Sequence, residues 1–418
     1  MAQLGGRRIK RGWVAALLFF FACAGTASAD GAAAPTARSE AAILIEQHTG
    51  KVLYVKNGEE RLYPASIAKI ATAIIALEHS SPDDIATVSK AARGEEGTRV
   101  YLAEGEKVTM EKLLYGMMLN SGNDAATAIA EQIDGTKERF AVRMNDFMRE
   151  TVGAFDSNFV NPSGLPDPDQ YTTASDMAKL ARYAMGNETF RRIVSTRKLP
   201  WTGLEWTSTL VNHNRLLFDY PGATGMKNGY TIAAGNTLVG SAERDGMSLI
   251  GVVLKAGSKH IAYADMTAMF DYGFANYAVR LLFASGERYE RLDESTGISS
   301  EWIADDAIWC VYPKGAAPVI HIGSDGVVTI DSQLGSYPAG RLSPVKKEVT
   351  ISAFSGQDIQ PVVQEGKAQE RNGSGSPARG AGIGAAFLLA AGAILALRLR
   401  RNKRRAYPPA PLGRHDTE

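Results

Sequence analysis

Cysteine is nearly missing from this chain: Cys23 and Cys310 are the whole complement among 418 residues. Cys23 lies in an N-terminal stretch that reads as a removable leader, so the mature chain would keep a single thiol. That excludes an intramolecular disulfide and any metal site built on several thiolates. Histidine is sparse too. His48, His79, His213, His260, His321 and His415 are scattered, without the spacings that hold a metal ion. Positive charge is short in the body of the chain. The net charge of +1 conceals 35 basic against 43 acidic residues between 30 and 397, a balance of −8. A nucleic-acid partner would need the opposite sign there. No internal repeat is visible.

The basic residues that do cluster lie at the two ends. Arg7, Arg8, Lys10 and Arg11 precede an apolar run from Trp13 to Ala24, and Ala27-Ser28-Ala29 supplies small residues for cleavage. This predicts a signal peptide over 1–29, cut after Ala29, with an uncleaved anchor as the alternative. At the other end, residues 380–397 are uncharged and apolar, and residues 398–418 carry seven basic and two acidic side chains. The run suits about one bilayer crossing, and the basic tail favours the cytoplasmic side. The expectation is a single-pass cell-membrane protein with its body outside, joined to the membrane by this C-terminal helix.

Between the ends, Ala41–Glu46 and Val52–Lys56 read as a hairpin around His48-Thr49-Gly50. Met110–Leu119 and Ala125–Ile133 read as helices on either side of Asn120-Ser121-Gly122-Asn123. Asn161–Pro168 reads as a rigid loop. Thr237–Glu243 and Met247–Leu254 form a second hairpin over Arg244-Asp245-Gly246, and Asp265–Val279 reads as a closing helix. Strands at both ends with helices between them predict an α+β domain over 38–285, one antiparallel sheet with helices packed on it. Short β-rich runs then predict a small all-β domain over 286–353. Residues 354–379, rich in Gln, Gly, Ser and Pro, read as a linker.

The chemistry centres on Pro64-Ala65-Ser66-Ile67-Ala68-Lys69. Ile67, Ile70, Ile74 and Leu77 recur at helical steps, so Ser66 and Lys69 share one face. A lysine enclosed by Ala and Ile loses proton affinity, and a neutral amine there can take the serine proton. Ser121-Gly122-Asn123 places a hydroxyl and an amide in one tight turn. Lys227-Asn228-Gly229 places a lysine on a strand edge, where it can hold a carboxylate. Gly229 would let a substrate backbone lie close against that strand.

In this order and spacing, Ser-x-x-Lys, Ser-x-Asn and Lys-x-Gly resemble the motifs of the penicillin-interacting serine enzymes. Further runs, such as Met118–Ala126, Asn161–Leu165 and Asn212–Leu217, resemble the serine-type D-alanyl-D-alanine carboxypeptidases, the low-molecular-mass penicillin-binding proteins. The resemblance covers roughly 40–285 and implies their fold, with the β domain similar in position to the family's second domain. It implies catalytic roles for Ser66, Lys69 and Ser121. It implies substrate contacts at Asn123, Lys227, Asn228 and Gly229, and at Tyr230, whose N–H would join that of Ser66 in an oxyanion hole. The substrate would be a peptidoglycan stem peptide, β-lactams would be inhibitors, and no metal or organic cofactor is implied. The resemblance also admits a D,D-endopeptidase of cross-linked peptidoglycan, and a non-catalytic wall-binding protein is the reading from another class. A class A β-lactamase would need a Glu-x-x-Leu-Asn between the second and third motifs. None of Glu131, Glu138, Glu150, Glu188 and Glu205 begins one. One departure stands out: Asn228 occupies the position where the family usually has threonine or serine.

Overall fold

Ala41–Glu46 is buried along its whole length, as a central strand with cores on both faces requires. The computed structural model describes residues 32–293 and 298–345. The regions read as signal peptide, linker, membrane helix and basic tail lie outside the described residues, as do 346–353 of the small β domain.

The main sheet runs in the spatial order Val52–Lys56, Ala41–Glu46, Met247–Ala256, Gly235–Arg244 and Ala223–Thr231, with every pairing antiparallel. Alternate residues feed two cores. Ile43, Ile45, Val239, Ile250 and Val252 meet the helices Lys69–His79, Ala174–Ala184 and Glu188–Ser195 on one face. Leu44, Leu238, Leu249 and Val253 meet Met266 and Phe270 of the helix Lys259–Asn276 on the other. Each fully buried side chain of this size contributes about 1.5–3 kcal/mol, so this three-layer packing is the main source of stability.

The closing helix differs from the expectation. It starts at Lys259, where the Ser258 hydroxyl accepts the Ile261 N–H at 3.2 Å, and it stops at Asn276. Tyr277–Phe283 is instead a strand, paired antiparallel with Ile308–Pro313. Both of its faces find apolar partners, which an isolated helical turn at the end of the closing helix would not. Beyond it, Arg288–Asp293, Ile298–Ala304, Gly335–Pro344, Val327–Ser332 and Val319–Ile322 form a second sheet. Its small core includes Ala304, Ile308, Cys310, Val328, Ile330 and Leu342. This β-rich portion touches the first hairpin. His48 stacks on Trp309 at 4.3 Å between ring centres, and the Lys51 ammonium lies 4.7 Å from the centre of the Tyr337 ring.

Candidate active site

Ser66 sits in a tight 3₁₀ turn, Ala65–Ala68, and the α-helix proper starts only at Lys69. The expected helix is therefore present, with its first turn wound more tightly. Ala65 has a φ of 49°, an unusual conformation for a residue with a Cβ. Its neighbours hold it there. The Thr237 hydroxyl donates to the Pro64 carbonyl at 2.9 Å. Gly164, at φ 83°, presses so close that a Cβ on it would lie 1.9 Å from the Ala65 oxygen.

Lys69 is fully buried, and its Nζ has three oxygen partners. They are Ser66 Oγ at 3.1 Å, Asn123 Oδ1 at 2.7 Å and the Ser163 carbonyl at 2.6 Å. The two carbonyl oxygens can only accept. A neutral amine has two protons and one lone pair, so its protons go to Asn123 and Ser163 and its lone pair faces the Ser66 hydroxyl. Burial first, and then the charge of Lys227, holds the Lys69 pKa well below the usual range; Asp124 and Glu95 pull the other way. Geometry and electrostatics both favour a base aimed at Ser66.

Ser121 lies between the helices Met110–Leu119 and Asn123–Asp134. The left-handed residue of the turn is Ser121, at φ 63°. Gly122 is needed for space: a Cβ there would stand 2.9 Å from Asp124 Oδ1. Asn123, expected to orient the peptide, is 4% exposed and engaged at both ends of its amide. Its Oδ1 holds Lys69, and its Nδ2 donates to the Glu96 carbonyl at 2.6 Å. It is positioned to orient the base.

The edge strand Ala223–Thr231 forms the other wall. Lys227 is 1% exposed, donates to the Asn228 carbonyl at 2.8 Å, and has its pKa lowered by burial to about 7. A Cβ at Gly229 would lie 2.6 Å from Ser66 N, so the missing side chain also makes room for the backbone of Ser66. The side chain of Asn228 leaves Oδ1 buried and unpaired among the described residues, while Tyr230 is mostly exposed. So the structure brings Ser66, Lys69, Asn123, Lys227 and Gly229 close together, with Ser121 in the adjoining turn and Asn228 and Tyr230 on the strand beside them.

Sequence reasoning missed two participants. Ser163 acts through its backbone carbonyl, which no side-chain pattern can announce; the rigidity of Asn161–Pro168 was the available signal. His213 lies within the field of Lys227. Its pKa is pushed down to about 4 by burial and by Lys227 and Lys259, so it is neutral at neutral pH. Its backbone N–H donates to the Leu119 carbonyl at 3.1 Å, next to the Ser121 turn.

The family model of peptidase S11, D-alanyl-D-alanine carboxypeptidase, matches residues 28–258. The chain belongs to that family. It is a serine-type D-alanyl-D-alanine carboxypeptidase, a hydrolase of peptidoglycan stem peptides in a penicillin-binding family. Among its relatives, D-alanyl-D-alanine carboxypeptidase DacF of Bacillus subtilis is 35% identical over 289 residues, covering 67% of this chain and 74% of DacF. The crystal structure of carboxypeptidase DacD from Francisella tularensis superposes with a TM-score of 0.62 at 27% identity, covering 75% of this chain and 95% of that one. Penicillin binding protein 5 of Haemophilus influenzae gives a TM-score of 0.65 at 24% identity, covering 75% and 98%. This last likeness supports the fold: an α+β catalytic domain followed by a β-rich portion. In this S11 carboxypeptidase Lys69 Nζ thus lies within hydrogen-bonding distance of Ser66 Oγ.

Proposed function

We propose that Ser66 is the nucleophile, Lys69 its general base and Ser121 the proton donor to the leaving group. Ser66 Oγ bonds to the carbonyl carbon between the two terminal D-alanines as its proton passes to Lys69 Nζ. The C–N bond then breaks, and the departing amine receives a proton through Ser121. Water hydrolyses the resulting ester and restores the Ser66 hydroxyl. The N–H groups of Ser66 and Tyr230 bind the oxyanion; donors of this kind are worth about 3–4 kcal/mol each in the transition state. Lys227, in its charged form, and Asn228 Nδ2 hold the terminal carboxylate. β-Lactams acylate the same oxygen.

One observation supports this reading above the others: Lys69 Nζ, buried, spans Ser66 Oγ, Asn123 Oδ1 and the Ser163 carbonyl. The test is intact mass and peptide mapping after exposure to penicillin. A single adduct on the peptide containing Ser66, absent in Ser66→Ala, is expected. An adduct that survives that change means another residue attacks.

The proposal extends to location. A signal peptide cut after Ala29 and a membrane helix over 380–397 would leave the catalytic domain outside a single-pass anchor. The distribution of basic residues at the two ends supports this. Deleting 356–379 while keeping the helix should lower hydrolysis of intact wall and spare soluble peptide; equal loss on both would refute the tethering role.

A further inference from the structure

The segment 98–102 runs beside the Ser121 turn and is fastened to it repeatedly. The Asn123 N–H donates to the Thr98 carbonyl at 2.8 Å, and Asn120 Nδ2 donates to the Arg99 carbonyl at 2.9 Å. The N–H groups of Val100 and Leu102 donate to the buried Asp124 carboxylate at 3.0 and 3.1 Å. Arg99 is thus fixed within the wall that carries Ser121.

Its side chain is half-buried and short of partners. The guanidinium stacks 5.2 Å from the centre of the Tyr101 ring, and Nη1 donates to the Arg93 carbonyl at 3.2 Å. Among the described residues Arg99 forms no ion pair. Arg93, whose carbonyl it reaches, is itself paired with Glu205, and Glu95 is held by Lys137 and Thr127. A guanidinium has five N–H donors in a planar fork suited to a carboxylate, and most remain unused here. Tyr101 is built as its support. The residue is 48% exposed, holds a φ of 55°, and has Trp206 against it at 5.5 Å in an edge-to-face contact. Stacking on an aromatic ring is how an arginine is held flat while its fork stays open.

We infer that Arg99, seated on Tyr101 beside the Ser121 turn, is a specificity-determining residue that takes a carboxylate of the stem peptide upstream of the bond to be cut. Lys227, on the strand wall, serves the terminal carboxylate, so an acidic group earlier in the peptide needs a second cation on the other wall. The inference rests on acylation at Ser66.

The test uses the full chain and two synthetic acyl peptides ending in D-Ala-D-Ala. They are identical except that one carries a free carboxylate upstream and the other the matching carboxamide. D-Alanine release gives kcat/KM for each. The expected ratio is about tenfold in favour of the carboxylate, the size of a charge-assisted pair partly open to solvent. Arg99→Gln should bring the ratio to about one, and Tyr101→Leu should lower it. A ratio that persists in Arg99→Gln overturns the assignment, including the case where both substrates slow equally. Penicillin acylation separates this from the nucleophile reading. Normal acylation with no carboxylate preference in the wild-type chain defeats the Arg99 assignment and leaves Ser66 standing.

Discussion

Lys227→Met should make this protein more stable and less active, and the gain should vanish in alkali. Lys227 is 1% exposed, and burial takes its pKa from 10.5 to about 7. Between those two values the unfolded chain binds a proton that the folded chain does not, so stability rises with pH across that window. Below pH 7 the lysine is charged in both states and its full penalty applies. At about 1.36 kcal/mol per unit, that penalty is on the order of 5 kcal/mol at pH 6 and about 1 kcal/mol or less at pH 10. Methionine fills a similar volume without the charge. It strands the Asn228 carbonyl that Lys227 Nζ now reaches at 2.8 Å, a loss of about 1–3 kcal/mol. The net gain at pH 6 is then roughly 2–4 kcal/mol, or several degrees in Tm at a few degrees per kcal/mol. Thermal unfolding of both chains at pH 6 and pH 10 reads the effect as a difference of differences. D-Alanine release should fall at pH 6, where the terminal carboxylate loses its cation, and differ little at pH 10, where Lys227 is already neutral. If the Met variant gains nothing at pH 6, or gains equally at pH 10, the lysine is not held against its charged form and the reasoning fails.

Three further outcomes are expected. Gly164→Ala should lower stability by about 2 kcal/mol or more and abolish penicillin acylation, because its Cβ would strike the Ala65 oxygen beside Ser66; full acylation in this variant would show that the turn can yield. Asn123→Ala should cut kcat by roughly tenfold to a hundredfold, the cost of about 1.5–3 kcal/mol for a lost hydrogen bond to an ionisable group, with KM changed less than about twofold; a rise in KM instead would return Asn123 to peptide binding. Glu46→Gln should destabilise the first hairpin, measured by urea unfolding. Burial alone would raise the Glu46 pKa, but hydrogen bonds from His48 and Thr49 outweigh it and leave it below the ordinary 4.5. Its contribution is therefore present above that value and lost as pH falls through the folded pKa; a difference between the chains that persists at pH 2 would contradict this.

What could be read from the sequence, and what could not, divides along physical lines. The hairpin Ala41–Glu46 with Val52–Lys56 was legible to the residue, because its turn and apolar run agree. The Ser66–Lys69 pairing was legible because three-residue spacing has one meaning on a helix. The hairpin Lys198–Thr202 with Thr207–Val211 was not read: Pro200 interrupts one strand and most of its side chains face solvent, so no alternation shows. The helices Lys137–Asp146 and Glu188–Ser195 were passed over because they are charged and short. Within the site, the unread parts are those in which backbone acts, such as the Ser163 carbonyl, or in which a residue takes a conformation its type disfavours, as Ala65 and Ser121 do. Such features belong to tertiary context, which over-determines the local choice.

The contact of His48 with Trp309 has a mechanical meaning. The first hairpin is one edge of the sheet whose opposite edge is the strand that grips Ser66, and the indole rests on the tip of that hairpin. Tyr337 holds Lys51 two residues past the tip's Thr49, and Val311 is sealed in the sheet's own core. The β-rich portion therefore behaves as a handle fixed to the blade: turn it, and the site must turn with it.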